Sequence, residues 1–292
     1  MRRWAYQRAW LHSYRCPIPV IIVGNVTVGG TGKTPLVIWL AHYLTQQGWK
    51  VGIISRGYGG QARYPVSVNI SSNAAQVGDE ALLLARTHCP VVIAPQRRLA
   101  VQQLLAQQPC DVILSDDGLQ HYALQRDIEI AVIDGQRGLG NGYCLPAGPL
   151  RELPSRLQQV DFIVSKTVAW RNAVVMTYTF STLHALTTTT TQSLQHLSGQ
   201  IVHAVAGIGH PETFFTMLEQ QGILLIRHSF PDHHPYQKHD ITFPDSYPVV
   251  MTEKDAVKCI PIADQRHWYL GITAQLPENF GEQVVQRLLD KI

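Results

Sequence analysis

Residues 27–34 read Thr-Val-Gly-Gly-Thr-Gly-Lys-Thr. They stand between an apolar run at 19–26 (PVIIVGNV) and a helical pattern at 35–48 (PLVIWLAHYLTQQG). The ending Gly32-Lys33-Thr34 is that of a phosphate loop, yet the usual pattern, G-x-x-x-x-G-K-[ST], asks for a glycine where this chain has Thr27. Such a loop needs small residues so that backbone N–H groups curl around phosphate. It also needs a lysine for the β- and γ-phosphates and a hydroxyl for Mg²⁺. Gly29, Gly30, Thr31 and Gly32 form the loop, Lys33 is the cation and Thr34 the hydroxyl. A helix from Pro35 adds the positive end of its dipole. The order strand, loop, helix is the context that the motif requires, and the internal glycines at 29 and 30 compensate for Thr27.

The pattern on either side agrees with a nucleotide fold. Short apolar runs at Pro19–Val23, Val51–Ile54, Val91–Ala94, Asp111–Leu114, Ile128–Ile133 and Phe162–Ser165 alternate with helical stretches such as Pro35–Gln47, Asp79–His88 and Arg97–Gln107. Continuous apolar strands between helices predict an α/β fold of the P-loop NTPase kind, with a doubly wound, mostly parallel sheet. Ligands of such sheets gather beyond the C-terminal strand ends. Near residue 170 the chain becomes polar and threonine-rich, and a run of threonines at 187–191 reads as a hairpin or extended connector. A second α/β series follows. The expected division is a kinase-like domain over 1–170 and a smaller α/β domain over 171–292, both of ordinary domain size.

Bulk properties narrow the function. The 292 residues are 45% hydrophobic and 15% charged, enough for a sizeable core. A net charge of +3 is too mild for a nucleic-acid surface. The cysteines at 16, 89, 110, 144 and 259 show no C-x-x-C and fit a reducing compartment rather than a disulfide framework. No apolar run reaches the roughly 18 residues of a membrane span. The start, MRRWAYQRAWLHSYR, lacks the apolar core of a signal peptide. Wound as a helix, it places Trp4, Tyr6, Trp10, Leu11 and Tyr14 on one face. Arg2, Arg8, His12 and Arg15 lie opposite, with Arg3 and Gln7 interrupting the apolar side. That pattern suits a lipid headgroup layer and equally suits a helix packed on its own domain.

Other stretches carry candidate chemistry. An apolar strand at 111–115 ends in Asp116-Asp117, where a P-loop enzyme places its Mg²⁺ carboxylate. Adjacent carboxylates need a cation or hydrogen bonds, although either alone is also an ordinary turn or cap residue. Asp79 and Glu80 open a helix, where acids complement the dipole; they gain a chemical role only if that helix end converges on Lys33. Arg56 in SRGYGG (55–60) is either a phosphate or sugar contact or part of a flexible turn. Arg97 and Arg98 open a helix and suit a phosphoryl clamp or plain solvation. AGIGHP (206–211) is a weak glycine turn. In FPDHHPY (230–236), with His228 and His239 nearby, the histidines lack the spacing and cysteines of a zinc site, so one of them assisting a base in a cleft is the favoured reading. TEKDAVK (252–258) caps a helix and offers Lys254 as a charge partner.

Together, VGNVTVGGTGKTP, SRGYGG, GDE, DDGLQH, VIDG, GNG, LPAGPLRE, AGIGHP and MTEKDAVK resemble, in this order from residue 23 to 258, the tetraacyldisaccharide 4′-kinases of lipid A biosynthesis. That family carries the same shortened glycine loop. The resemblance implies transfer of the γ-phosphate of ATP, with Mg²⁺, to the 4′-hydroxyl of an acylated glucosamine disaccharide 1-phosphate. It places that reaction at the cytoplasmic face of a bacterial inner membrane, with two α/β domains joined by a short β hinge. It further implies that Lys33 and Thr34 meet phosphates and Mg²⁺ and that Asp116 and Asp117, with Glu80 nearby, lie at the metal. Asp79 would be the base for the sugar hydroxyl, His233 would support it across the cleft, and Arg97 would lie near the phosphates.

Family members usually open with a further hydrophobic helix, which this sequence does not show. Attachment is expected through the shorter aromatic–basic segment or through residues ahead of the assigned start. A monomer without nucleic acid is expected. A partitioning-type ATPase switch is the main alternative on this fold, but Val28 stands where its signature lysine would be. A soluble small-molecule kinase is allowed by the bare loop and opposed by DDGLQH.

Overall fold

The structure, a computed structural model, describes residues 2–291. The side chains of Arg2 and Gln7, assigned above to faces of an N-terminal helix, lie outside the described residues. The first series runs α1 (Arg2–Gln7), β1 (Val20–Gly24), α2 (Lys33–Gln46), β2 (Val51–Ser55), β3 (Val66–Val68), α3 (Ala74–Val77), α4 (Asp79–Ala85), β4 (Val91–Ile93), α5 (Arg97–Gln107), β5 (Val112–Asp116), β6 (Ile128–Asp134), β7 (Phe162–Lys166) and β8 (Val174–Thr179). The second runs β9 (Thr182–Ala185), β10 (Thr191–Ser193), β11 (Ile201–Ala206), α6 (Pro211–Gln220), β12 (Leu224–Ser229), α7 (Lys238–Ile241), β13 (Val249–Thr252), α8 (Glu253–Cys259), β14 (His267–Leu270), β15 (Thr273–Gln275) and α9 (Glu278–Leu289).

Nine strands form the large sheet in the order β15-β8-β7-β6-β1-β5-β2-β4-β3. All neighbours pair in parallel except the antiparallel edges β3 and β15. β1, β2 and β5 are buried at every position, which is why they read as unbroken apolar runs. Six strands form the smaller sheet, β10-β9-β14-β13-β11-β12. The threonine run is the turn of the antiparallel β9–β10 hairpin.

The sheets divide the chain differently from a cut at residue 170. β8 joins the large sheet, and the chain returns to it at β15 and α9. Phe280, Val284 and Leu288 of α9 pack in one core with Leu36, Leu40 and Leu44 of α2. The smaller unit is therefore an insertion between β8 and β15. An apolar stripe on a terminal helix shows that the helix is buried but not which core receives it.

The N-terminal helix is also shorter than the pattern over residues 2–15 suggests. It stops at Gln7, Ala9 takes a left-handed φ of 56°, and Trp10 folds back edge-on to Trp4 at 4.6 Å. Residues 13–15 run extended, with Tyr14 bridged to Leu124. A helix long enough and apolar enough to cross a membrane is absent among the described residues.

Candidate active site

The loop between β1 and α2 takes its shape from glycine. Gly29 and Gly32 have φ of 101° and 91°, where a side chain is strained. A Cβ on Gly32 would also lie 2.3 Å from the Tyr178 hydroxyl. Asn25, fully buried, braces the loop by donating to the Thr31 hydroxyl at 3.1 Å. The segment LPAGPLRE lines the other side: Val28 donates to the Pro149 carbonyl (2.9 Å), Arg151 N–H donates to Val26 (2.7 Å), and Thr27 forms an isolated antiparallel bridge with Leu150. Thr27 is thus an extended, paired residue, which accounts for the missing glycine.

The β1–β5 register sets Val23 beside Asp116 and brings the strand-end acids under the loop. The Thr34 hydroxyl donates to Asp116 Oδ2 at 3.3 Å. Asp116 is buried and its Oδ1 has no hydrogen-bond partner. Burial, and then the charge of Glu80, push its carboxyl up to about 7, against the pull of Lys33. Asp117 has a left-handed φ of 49° and turns away to Lys33 (3.5 Å) and Arg151 (3.1 Å). Burial works to raise its carboxyl, but these two cations outweigh it and hold it below the usual range.

Arg97 is turned to the main chain. It is buried beneath the acids and donates to the carbonyls of Ala94 (2.9 Å), Asp116 (3.1 Å) and Asp117 (3.4 Å). Burial lowers it to about 10, and Asp116 opposes that. Its guanidinium holds the Asp116–Asp117 backbone in place. Arg151 is the cation that reaches the acid pair from the loop side. The only sequence signal for it was an arginine directly after the glycine–proline segment. Arg56 and Arg98 are exposed.

A second cluster forms where the two units meet. SRGYGG presses on the start of α4: Cβ atoms on Gly60 and Gly78 would lie 2.3 Å from the carbonyl oxygens of Gln76 and Tyr58. Those glycines are packing residues, and they set Asp79 at the first turn of α4. Asp79 is buried, and its Oδ1 accepts the Glu80 N–H at 2.9 Å. Its Oδ2 lies 3.0 Å from His233 Nδ1, which the smaller unit supplies from the loop after β12. Lys254 Nζ is 3.3 Å from His233 Nε2 and 2.8 Å from Asp232. An ammonium can only donate, so Nε2 accepts and Nδ1 carries the proton donated to Asp79. Burial works to lower Lys254, but Asp79 and Asp232 outweigh it and raise it. His233 has a left-handed φ of 62°, so both His233 and Asp117 sit in backbone conformations that side chains rarely adopt. His234 instead faces Asp240 at 3.2 Å.

Of the residues assigned to a cation, Thr34 and Asp116 are brought together. Asp117 is held by Lys33 and Arg151, and Glu80 acts on Asp116 through its charge. No group of three His, Cys, Asp or Glu is placed to hold a metal among the described residues. That fits Mg²⁺, which keeps waters and substrate phosphates and needs few protein ligands. The partnerless Asp116 Oδ1 beside the Thr34 hydroxyl suits it, since a divalent charge would offset the burial of that carboxylate.

Comparison with known proteins agrees with this geometry. The family profile described as Tetraacyldisaccharide-1-P 4′-kinase matches residues 1–289. The Tetraacyldisaccharide 4′-kinase of Nitrosococcus oceani is 49% identical, over 99% of this chain and 86% of that relative. That of Alkalilimnicola ehrlichii is 50% identical, over 100% and 88%. Among solved structures, LpxK from Aquifex aeolicus in complex with ATP superposes with a TM-score of 0.83 at 26% identity, covering 98% of this chain and 94% of that one.

Proposed function

The chain belongs to the tetraacyldisaccharide 1-phosphate 4′-kinase family, and from that premise we propose how its residues divide the work. It is an ATP-dependent kinase that moves the γ-phosphate of ATP to the 4′-hydroxyl of a tetraacyldisaccharide 1-phosphate in lipid A biosynthesis. The observation that carries the mechanism is the 3.0 Å contact between Asp79 of the large unit and His233 of the smaller one.

In this reading the loop over Gly29–Gly32 wraps the β- and γ-phosphates of ATP, and Lys33 neutralises their charge. Thr34 and Asp116 would hold Mg²⁺, which would offset the charge that develops on the transferring phosphate. Arg151 and Lys33 fix Asp117 as the acidic floor of the site. Asp79 takes the proton of the 4′-hydroxyl as that oxygen bonds to the γ-phosphorus; the bond from γ-phosphorus to the β–γ bridging oxygen breaks and ADP leaves. His233 donates its Nδ1–H to Asp79 and orients it. The two α/β units, about 2–179 with 273–291 and about 182–270, form the walls of this cleft.

We further place the enzyme at the cytoplasmic face of the inner membrane as a peripheral protein. ATP is the donor, the acceptor is a four-chain lipid, and Trp4, Trp10 and Leu11 stand exposed beside Arg8.

The test is transfer of label from γ-labelled ATP to the detergent-dispersed lipid acceptor. Wild type should yield a bis-phosphorylated lipid, and Asp79→Asn should slow kcat by about 10²–10⁴-fold with little change in ATP binding. Near-normal transfer by Asp79→Asn would remove Asp79 from the base role.

A further inference from the structure

Helix α8 presents two lysines one turn apart, and both face the same carboxylate. Lys254 Nζ is 4.0 Å and Lys258 Nζ 3.9 Å from Asp79 Oδ2. The i, i+4 spacing puts them on one face of the helix, the face that packs against α4. Their surroundings differ. Lys254 is shared with Asp232 and His233 at the mouth of the cleft. Lys258 is the more buried of the two, 3.1 Å from Asp255 Oδ1 and 5.0 Å over the Tyr236 ring. Asp255 is wholly buried, and its other oxygen accepts the Gly207 N–H (2.9 Å) and the Thr252 hydroxyl (2.6 Å). Gly207 is required there, because a Cβ would lie 2.6 Å from the Tyr236 hydroxyl.

We propose that Lys258 is a positioning residue for phosphoryl transfer: anchored by Asp255, it holds the Asp79 carboxylate turned so that one oxygen is left for the acceptor. The inference rests on the reading of Asp79 as the base. His233, Lys254 and Lys258 all converge on Oδ2, whereas Oδ1 takes the Glu80 N–H. Oδ1 is therefore the oxygen that receives the proton, and Oδ2 is the one held. The charged and titratable groups around this carboxylate are Glu80 on its own helix, Asp232 and His233 on the β12 loop, and Lys254, Asp255 and Lys258 on α8. Tyr58 lies against the His233 ring and Tyr236 under Lys258. Removing Lys258 leaves Oδ2 with one fewer holding partner and lets the carboxylate turn out of place. Asp255 ties that cation to β11 and β13 of the smaller sheet, so the arrangement of the smaller unit reaches the base through Lys258 as well as through His233.

The experiment uses the full chain and labelled-phosphate transfer from pH 5.5 to 9. Lys258→Met should lower kcat about 10–100-fold with the KM for ATP little changed. Lys258→Arg should restore most of the rate. Because Lys258→Met alone leaves Asp255 buried without a cation, Lys258→Met with Asp255→Asn provides a variant free of that defect, and it should show the same loss of kcat. In an Asp79→Asn background, Lys258→Met should change the residual rate by less than about twofold. A raised KM for ATP in place of a lowered kcat, or a loss that persists undiminished in the Asp79→Asn background, overturns the proposal. Near-normal turnover by Asp79→Asn alone overturns the base reading and this inference with it, whereas an inactive Asp79→Asn with an indifferent Lys258→Met overturns only the inference.

Discussion

Asp79 and His233 are 154 positions apart in the chain and 3.0 Å apart in space. One opens a helix of the large unit, and the other sits in a left-handed turn of the inserted unit. The contact exists only when the two units meet, so its loss should appear in turnover and not in nucleotide affinity. His233→Ala is expected to lower kcat about 10–100-fold with the KM for ATP within about threefold. Steady-state kinetics with ATP and lipid varied separately checks this.

Asp116 should limit the stability of the protein without nucleotide. Its folded carboxyl sits at about 7 against an ordinary 3.8, so between those values the folded state holds a proton that the unfolded state has released. Stability therefore falls as pH rises through that window and levels off above about 7. Asp116→Asn removes this effect. It should unfold at higher denaturant than wild type at pH 8, by on the order of 1–3 kcal/mol. The two should converge below pH 4. The same variant should lose nearly all transfer activity, and Mg²⁺ with ATP should stabilise wild type much more than the variant.

Arg97 and Arg151 are expected to fail in opposite ways. Arg97→Met leaves the buried carbonyls of Ala94, Asp116 and Asp117 without a charged donor, and should cost roughly 2–4 kcal/mol of stability. Arg151→Met, at the half-buried loop wall, should change stability by less than about 1 kcal/mol and lower turnover at least tenfold. Denaturant titration and transfer rates on the same preparations separate the two.

Trp4, Trp10 and Leu11 should act on lipid and not on ATP. Changing all three to serine is expected to reduce sedimentation with anionic liposomes severalfold while leaving ATP affinity unchanged. Equal sedimentation of variant and parent would remove this segment from membrane attachment.

Phe280 tests the return of the chain to the first unit. It is fully buried against Trp39 and Phe162. Phe280→Ala should destabilise the large unit by about 3–5 kcal/mol. If the last helix belonged to the smaller unit, the phosphate-loop unit would unfold at an unchanged midpoint.

The central strands and the phosphate loop were legible in the chain because their signals are local. A strand buried on both faces must be continuously apolar, as Val20–Val23 and Val112–Leu114 are. A loop that curls around phosphate must carry glycine before Lys33 and Thr34. The paired acids at 116 and 117 announced themselves by the cost of adjacent charge. The motifs also identified the family, and with it the reaction.

What the tertiary structure decided was everything that depends on approach between distant segments. That Arg97 reaches backbone carbonyls on two strand ends follows from the packing of α5 on β4 and β2. Thr27 reads as a defect until Leu150 is seen paired to it. The break at residue 170 is a real change of composition, yet β8, β15 and α9 cross it, because a sheet edge and an apolar helix face take whichever partner the fold brings to them. Lys258 carries no mark in the sequence beyond its spacing from Lys254. Its place between Asp255 and Asp79 follows from the packing of α8 on α4, and Coulomb attraction between buried groups depends on that distance and not on position in the chain.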